Sequence, residues 1–176
     1  MTQFVGIDAS WTGLAVLANA QNSSQFELFE TNPQDFACLE ARLDYLGAAV
    51  LDAVEGYGPT TPIAIEGYSF NSKGSSGVQM GILGGHIRWL LWSAGYAVVS
   101  VPPATLKKFV TGSGTSAKAV MLKEVWRRWR FDTDNDNVAD AFGLSKVAEA
   151  YVTEGQSKAV AKLLQSLQVT YGRIRA

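Results

Sequence analysis

The sequence has almost no cysteine or histidine, and none of its apolar stretches is long and unbroken. Cys38 is the only cysteine among 176 residues, so no internal disulfide can form. With a single histidine, a zinc site built from Cys and His is excluded. The apolar stretch at residues 78–99 is interrupted by His86 and Arg88, so no membrane span is predicted. The N-terminal part lacks a basic segment and contains Asp8, which argues against a signal peptide. We therefore expect an intracellular, cytoplasmic protein.

Charge is nearly balanced overall but unevenly distributed along the chain. The net charge of -1 combines a basic segment, residues 102–131 with seven bases and one acid, with a following acidic segment, residues 132–154 with six acids and one base. Residues 1–60 add eight acids and one base. Basic segments bind phosphates and acidic pockets bind divalent cations, so the distribution favours a nucleic-acid partner and a metal. Solvated helix faces would give the same pattern, so charge alone leaves both interpretations open.

The pattern of apolar residues predicts one α/β domain over residues 1–176, with 47% hydrophobic residues to form its core. Strands are predicted at residues 3–9, 13–19, 25–31, 62–67 and 96–101. Helices are predicted from Asn32-Pro33 to about Val54, over 78–94, from Pro102-Pro103 to Val110, and over 116–130, 137–151 and 156–167. Three antiparallel strands followed by alternating helices and strands predict a five-stranded mixed sheet with helices on both faces.

Three acids lie inside elements that are otherwise apolar. Asp8 follows Val5-Gly6-Ile7, Glu66 ends the strand Ile63-Ala64-Ile65, and Asp140 lies within a largely apolar helix. A buried carboxylate is costly unless something binds it, and three that converge need a cation to offset their repulsion. Ligands that are all oxygen select magnesium or manganese. The sequence therefore predicts a carboxylate metal site.

Short motifs around these acids resemble the RuvC family of Holliday-junction resolvases, within the ribonuclease H-like superfamily. The motifs are Gly6-Ile7-Asp8-Ala9-Ser10, Ile65-Glu66, Pro102-Pro103-Ala104 with Lys107, Val110-Thr111-Gly112-Ser113-Gly114 with Lys118, and Ala139-Asp140-Ala141. They occur in the family's order and spacing over about residues 3–150. The acids are widespread in ribonuclease H-like nucleases, whereas the two lysine motifs are typical of resolvases. A phage-type member of the family is one interpretation of this short, divergent chain.

The resemblance implies a ribonuclease H-like fold and a homodimer that cuts four-way DNA junctions by paired symmetric nicks. It implies two Mg²⁺ ions in each active site, for which Mn²⁺ would substitute, and phosphodiester hydrolysis in which the ions activate water and stabilise the leaving oxygen. The residues implied as metal ligands and catalytic groups are Asp8, Glu66, Asp136 and Asp140. Lys118 is expected near the scissile phosphate, where it would stabilise charge in the transition state.

The last acidic helix departs from the family pattern. The family has an Asp at the position of Asp140 and a second ligand three or four residues earlier, where this chain has Asp136 and Asn137. Positions 136, 137 and 140 share one helix face, so either side chain could complete the site. We favour Asp136, and Asn137 could instead bind through its amide oxygen. An engineered Asp-to-Asn change at 137 is a further possibility and would weaken the enzyme.

Several residues are predicted to contact DNA. The family carries an aromatic wedge after its catalytic Glu, which makes Tyr68 and Phe70 the candidates here. The predicted phosphate contacts are Lys73, Lys107, Lys108, Lys123, Arg127, Arg128 and Arg130. Trp126 and Trp129, three residues apart on one helix, are expected in the core.

The helix at 78–94 is apolar on nearly every side, so it needs burial all round. A subunit interface would supply this, and the resemblance places the dimer contact near this helix. The candidate interface residues are Met80, Ile87, Leu91 and Trp92. His86 is expected to be a packing residue.

Two other functions remain open. One is a broader nuclease acting on flaps and forks, and the other is a protein that binds junctions without cutting them, which Asn137 would favour. An actin-like or sugar-kinase ATPase shares the fold, but this chain lacks the expected Gly-rich phosphate loop and is too short for two such domains.

Overall fold

The computed structural model describes residues 3–20, 23–67, 75–153 and 168–170. Its strands are β1 (Phe4–Asp8), β2 (Leu14–Ala20), β3 (Ser23–Phe29), β4 (Ile63–Glu66), β5 (Val98–Val101) and β6 (Gln168–Thr170). Its helices are α1 (Leu39–Glu55), α2 (Ser75–Ser93), α3 (Pro103–Thr111), α4 (Lys118–Trp129) and α5 (Asp136–Thr153). None of the helices in these ranges is long and apolar enough to cross a membrane.

The sheet has the order β3-β2-β1-β4-β5-β6. The first three strands form an antiparallel meander, and β4 and β5 continue it parallel to β1. The five predicted strands and the mixed sheet are thereby confirmed. The structure adds β6, which pairs antiparallel to β5 at the edge of the sheet. The predicted helix at 156–167 lies outside the described residues.

Helices cover both faces of the sheet, because β1 and β4 bury side chains on both sides. On one face, the core contains residues of α3, α4 and α5, including Leu106, Val125 and Phe142. On the other, the core contains residues of α1 and α2, including Leu46 and Leu83. The layers are therefore helix, sheet and helix, as the sequence predicts.

The helix predicted to start at Asn32-Pro33 begins later. Asn32 caps only a short 3-10 turn at Pro33–Asp35, where its side-chain oxygen accepts a hydrogen bond of 3.1 Å from the Gln34 amide. The chain is extended again at Phe36, and α1 begins at Leu39. The Asn32-Pro33 pair does begin a helical turn, but this is the short 3-10 turn that precedes α1.

Two of the predicted dimer residues were assigned wrongly. Ile87 and Leu91 are 0% exposed and lie in the core between α2 and the sheet, so neither can face another subunit. Met80 is exposed and Trp92 is partly exposed. The packing prediction for His86 fits the structure, because its Nε2 lies 2.8 Å from the position that a Cβ would take at Gly47 of α1.

Candidate active site

Asp8 and Glu66 lie side by side because they end neighbouring parallel strands. Ile7 of β1 pairs with Ile65 of β4, so the next residue of each strand emerges at the same edge of the sheet. The two carboxyl groups are within hydrogen-bonding reach of each other. Asp8 is only 5% exposed. The parallel pairing of two short strands is therefore enough to create a buried pair of acids.

A close approach of α5 to β1 adds Asp140 to this pair. A Cβ at Gly6 would lie 2.5 Å from the Ser145 amide nitrogen and would overlap the carbonyl oxygen of Ala141. Only glycine lets the backbone of α5 rest directly on the strand at this point. Asp140 directly precedes Ala141, and its charge acts on both Asp8 and Glu66. The glycine two residues before Asp8 thus positions an acid from the far end of the chain.

Burial and mutual repulsion raise the pKa of all three acids. Burial is the main cause for Asp8, whose pKa lies well above its usual value, and the charges of Glu66 and Asp140 raise it further. Burial and the charge of Asp140 raise the pKa of Glu66 to about 7. Burial and the charge of Asp136 raise the pKa of Asp140 to about 6. The cluster therefore holds protons near neutral pH when no cation is bound.

Lys118 and Asp136 form an ion pair beside the cluster. The hydrogen bond from Lys118 lowers the pKa of Asp136, and the same bond raises the pKa of Lys118. Asp136 also acts electrostatically on Asp8 and Asp140. Both partners are more exposed than the three buried acids, so the pair lies at the solvent side of the cluster.

Asn137 packs toward the β1–β2 turn. Its Nδ2 lies 2.5 Å from the position that a Cβ would take at Gly13. Of the two candidates for the fourth ligand, Asp136 interacts with the acids while Asn137 contacts the turn. This placement is in line with the preference for Asp136, which stays a prediction.

Lys107 lies closer to the acids than its predicted role as a phosphate contact implies. From α3, its charge lowers the pKa of both Glu66 and Asp140. The sequence predicts it only as one of several DNA-binding bases, and no local pattern indicates this position. The described site therefore contains two lysines, Lys107 and Lys118.

The other predicted DNA contacts differ in their surroundings. Lys108 and Lys123 are exposed. Arg127 is paired with Glu124 at 2.6 Å. Arg128 donates hydrogen bonds to the carbonyl oxygens of Phe109 (2.5 Å) and Val110 (2.9 Å), so it fastens α4 to the end of α3. Their contacts with phosphate stay predictions.

Three more predicted DNA contacts, Tyr68, Phe70 and Lys73, lie outside the described residues. The expectation that both tryptophans of α4 lie in the core is half wrong. Trp129 packs against Phe109 and Phe142, but Trp126 is exposed.

The donor chemistry of the site fits a hard divalent cation. Within the described parts of the chain, no three His, Cys, Asp or Glu side chains lie close enough together to hold an ion as they stand. Asp8 and Glu66 nevertheless provide a buried pair of oxygen donors, with the charge of Asp140 acting on both. Carboxylate oxygens are the ligands that Mg²⁺ and Mn²⁺ prefer. A cation would offset the burial and the repulsion that raise the pKa values of these acids.

The antiparallel meander, the two parallel strands and the acids at their shared edge define a ribonuclease H-like fold. Within this class, two solved structures of RuvC match. The RuvC structure of Thermus thermophilus matches with a TM-score of 0.69 at 21% identity, covering 88% of this chain and 97% of that one. The structure of T. thermophilus RuvC in complex with a Holliday junction substrate matches with a TM-score of 0.71, at the same identity and coverage. No protein-family model matches the sequence, and no curated protein does. The chain therefore has a RuvC-like fold.

Proposed function

We propose that the protein is a metal-dependent endonuclease that resolves four-way DNA junctions by paired symmetric nicks. The observation that carries the proposal is the group of Asp8, which is buried, with the partly exposed Glu66 and Asp140, whose pKa values are all raised at the edge of a RuvC-like sheet. Perturbed carboxyls that converge on one site are typical of catalytic centres. One of the matching structures is of RuvC bound to a Holliday junction, which supports the choice of substrate.

Asp8, Glu66 and Asp140 would hold the metal, with Asp136 as the fourth ligand. When bound, two Mg²⁺ ions would activate the attacking water and stabilise the leaving 3′-oxygen, with Mn²⁺ able to replace them. The closeness of Asp8 and Glu66 favours a proton between them in the absence of metal. They would release this proton when metal binds, because ligating carboxyls must be ionised. Asp140 would complete the set from α5, which the contact at Gly6 keeps against β1.

The two lysines would act on the phosphate. Lys118 is solvent-exposed and positively charged at the open side of the cluster, where a scissile phosphate would approach. A phosphate there would compete with Asp136 for the ammonium group, and Asp136 would become free to bind metal. Lys107 lies on the side of Glu66 and Asp140 and would offset negative charge as the transition state forms.

A homodimer would supply the two active sites that paired nicks require. The solvent side of α2 is apolar, since Val78, Ile82 and Trp89 follow one stripe of the helix and all are exposed. Trp89 is 59% exposed, which is unusual for so large an apolar side chain. We infer that this stripe, with Trp92 beside it, contacts the second subunit, whereas Met80 lies on the opposite side of α2, in line with Ile87 and Leu91.

The test is cleavage of a labelled, immobile four-way junction beside matched duplex, flap, fork and single-strand controls, each with Mg²⁺, Mn²⁺ or EDTA. We expect symmetric nicks near the crossover that EDTA abolishes. Cleavage spread equally over flaps and forks would replace the resolvase by the broader nuclease. No cleavage of any substrate in either metal would refute the nuclease.

A junction-binding protein without nuclease activity is the second candidate, and Asn137 is the observation that favours it. Asn137 lies at one of the two positions where the resemblance places a metal ligand, and its amide lies against Gly13. The discriminating variant is Asn137→Asp. If the wild type binds junctions without cutting and Asn137→Asp cuts, the chain is an enzyme that lost a ligand. If both bind and neither cuts, the binding role stands.

A further inference from the structure

The outer side of α4 carries an exposed stripe that the proposed active site does not use. Ala119, Lys123 and Trp126 recur at intervals of four and three residues, so they share one helix face, and Arg130 follows at the end of the helix with its guanidinium over Trp126. All four are exposed. We call these residues the α4 stripe. With a rise of about 1.5 Å per residue, it extends for roughly 16 Å along the helix.

Trp126 is the central residue of the α4 stripe and is 46% exposed. The other tryptophan of this helix, Trp129, stacks with Phe109 and meets the edge of Phe142, and it packs against the core. The fold therefore uses Trp129 for packing and leaves much of Trp126 in contact with water. Burial does not explain why a large aromatic side chain occupies position 126.

Arg130 is held against this tryptophan by the end of the helix. Its backbone adopts a left-handed conformation with φ of 60°, and its amide donates a 2.9 Å hydrogen bond to the carbonyl oxygen of Trp126. Its guanidinium carbon lies 5.5 Å from the centre of the Trp126 ring. The turn thus places a planar cation over one face of a partly exposed aromatic ring, so the ring and the guanidinium form one stacked pair on which a flat ligand could add.

The surroundings of the α4 stripe are positive. Lys123 lies on the stripe, and Arg127 compensates the only acid of the helix, Glu124, with which it pairs at 2.6 Å. The helix begins at Lys118, which is paired with Asp136 beside the buried acids. The α4 stripe therefore leads away from the candidate active site along a surface suited to a polyanion.

We propose that the α4 stripe binds single-stranded nucleic acid, with an unpaired base stacking on Trp126 and Arg130 and a phosphate contacting Lys123. Bases in a duplex are already stacked on one another, so stacking on an exposed indole stabilises an unpaired base more than a paired one. The positive charge favours a nucleic acid over an apolar protein surface. The choice of DNA rests on the proposed function.

The test compares binding of a fluorescent oligothymidylate with binding of the matched duplex, by anisotropy in EDTA so that no cleavage occurs. Trp126→Ala is expected to weaken single-strand binding by about 5- to 150-fold, the range for losing one stacked base, and to leave duplex binding nearly unchanged. Trp126→Phe keeps a ring and should retain most of the affinity. Lys123→Ala, which removes the proposed phosphate contact, should lower the salt slope of single-strand binding by about 0.7.

The control is Tyr45→Ala on α1, because Tyr45 is 47% exposed and similar in kind but lies on another surface. Its affinity should equal that of the wild type. The proposal is overturned if Trp126→Ala binds as tightly as the wild type, or if it weakens duplex and single strand alike. It is also overturned if Tyr45→Ala causes the same loss. Because these measurements need no metal, they can fail while junction cleavage succeeds, or succeed while cleavage fails.

Discussion

Replacing Glu66 by Gln should stabilise the protein without metal, even though it removes a proposed catalytic group. Burial and the charge of Asp140 hold the pKa of Glu66 at about 7, against an ordinary value of 4.5. The folded state therefore resists ionisation of this side chain more than the unfolded chain does. Gln has nearly the same shape and carries no charge, so it avoids this penalty at every pH.

The size and sign of the effect follow from the two pKa values. A folded-state pKa that is raised contributes stability below the unfolded pKa of 4.5, and this stability is lost as the pH rises through about 7. The full penalty above this window is about 3 kcal/mol, an upper value because Glu66 is partly exposed. For a chain of this size it corresponds to roughly 6–12 °C in melting temperature.

The assay is thermal unfolding in EDTA, followed by circular dichroism from about pH 5 to about pH 8. The difference in melting temperature between Glu66→Gln and the wild type should be small at about pH 5 and should grow as the pH rises through about 7. Glu55→Gln, at the exposed end of α1, is the matched control and should show no such trend. Saturating Mg²⁺ at the alkaline end should raise the melting temperature of the wild type more than that of Glu66→Gln. A wild type that equals or exceeds Glu66→Gln at about pH 8 in EDTA would refute the reasoning.

Two further predictions concern packing and assembly. Gly6→Ala would push a methyl group into the backbone of α5 near Ala141. It should therefore lower the free energy of unfolding by at least about 2 kcal/mol, as measured by denaturant titration. A smaller loss would mean that α5 can move away from β1. Ile82→Asp should convert the dimer into a monomer in analytical ultracentrifugation while the circular dichroism spectrum stays that of the folded chain, because Ile82 is exposed in the single chain. A wild type that is monomeric at all concentrations, or an Ile82→Asp variant that remains dimeric, would remove the α2 stripe as the interface.

Much of the fold could be predicted because its signals are local. An apolar strand that contains a single acid, as at Asp8 and Glu66, predicts that the strand is buried and marks the acid as the residue that packing alone does not explain. The alternation of strands and helices gave the mixed sheet, and the structure confirms it. The predicted start of α1 failed because Asn32-Pro33 begins a short 3-10 turn here and not the α-helix itself.

The remaining errors concern side chains whose surroundings depend on distant parts of the chain. An α2 that is apolar on all sides does not reveal which side meets the sheet, so Ile87 and Leu91 were assigned to the wrong surface. Trp126 and Trp129 have the spacing of one buried stripe. However, α4 packs against α3 and α5 so that Trp129 contacts the core and Trp126 stays exposed. The position of Lys107 beside Glu66 depends on how α3 follows β5 across the edge of the sheet, which no local pattern encodes.

The central claim is that the buried acids catalyse metal-dependent cleavage, and Asp8→Asn tests it most directly. The measurement is the rate of strand cleavage of a four-way junction in Mg²⁺, together with the affinity for the same junction in EDTA. We predict that Asp8→Asn cleaves at least about a hundredfold more slowly than the wild type, because a lost metal ligand removes several kcal/mol of transition-state stabilisation. Junction affinity should change little. Cleavage by Asp8→Asn at the rate of the wild type would contradict the account.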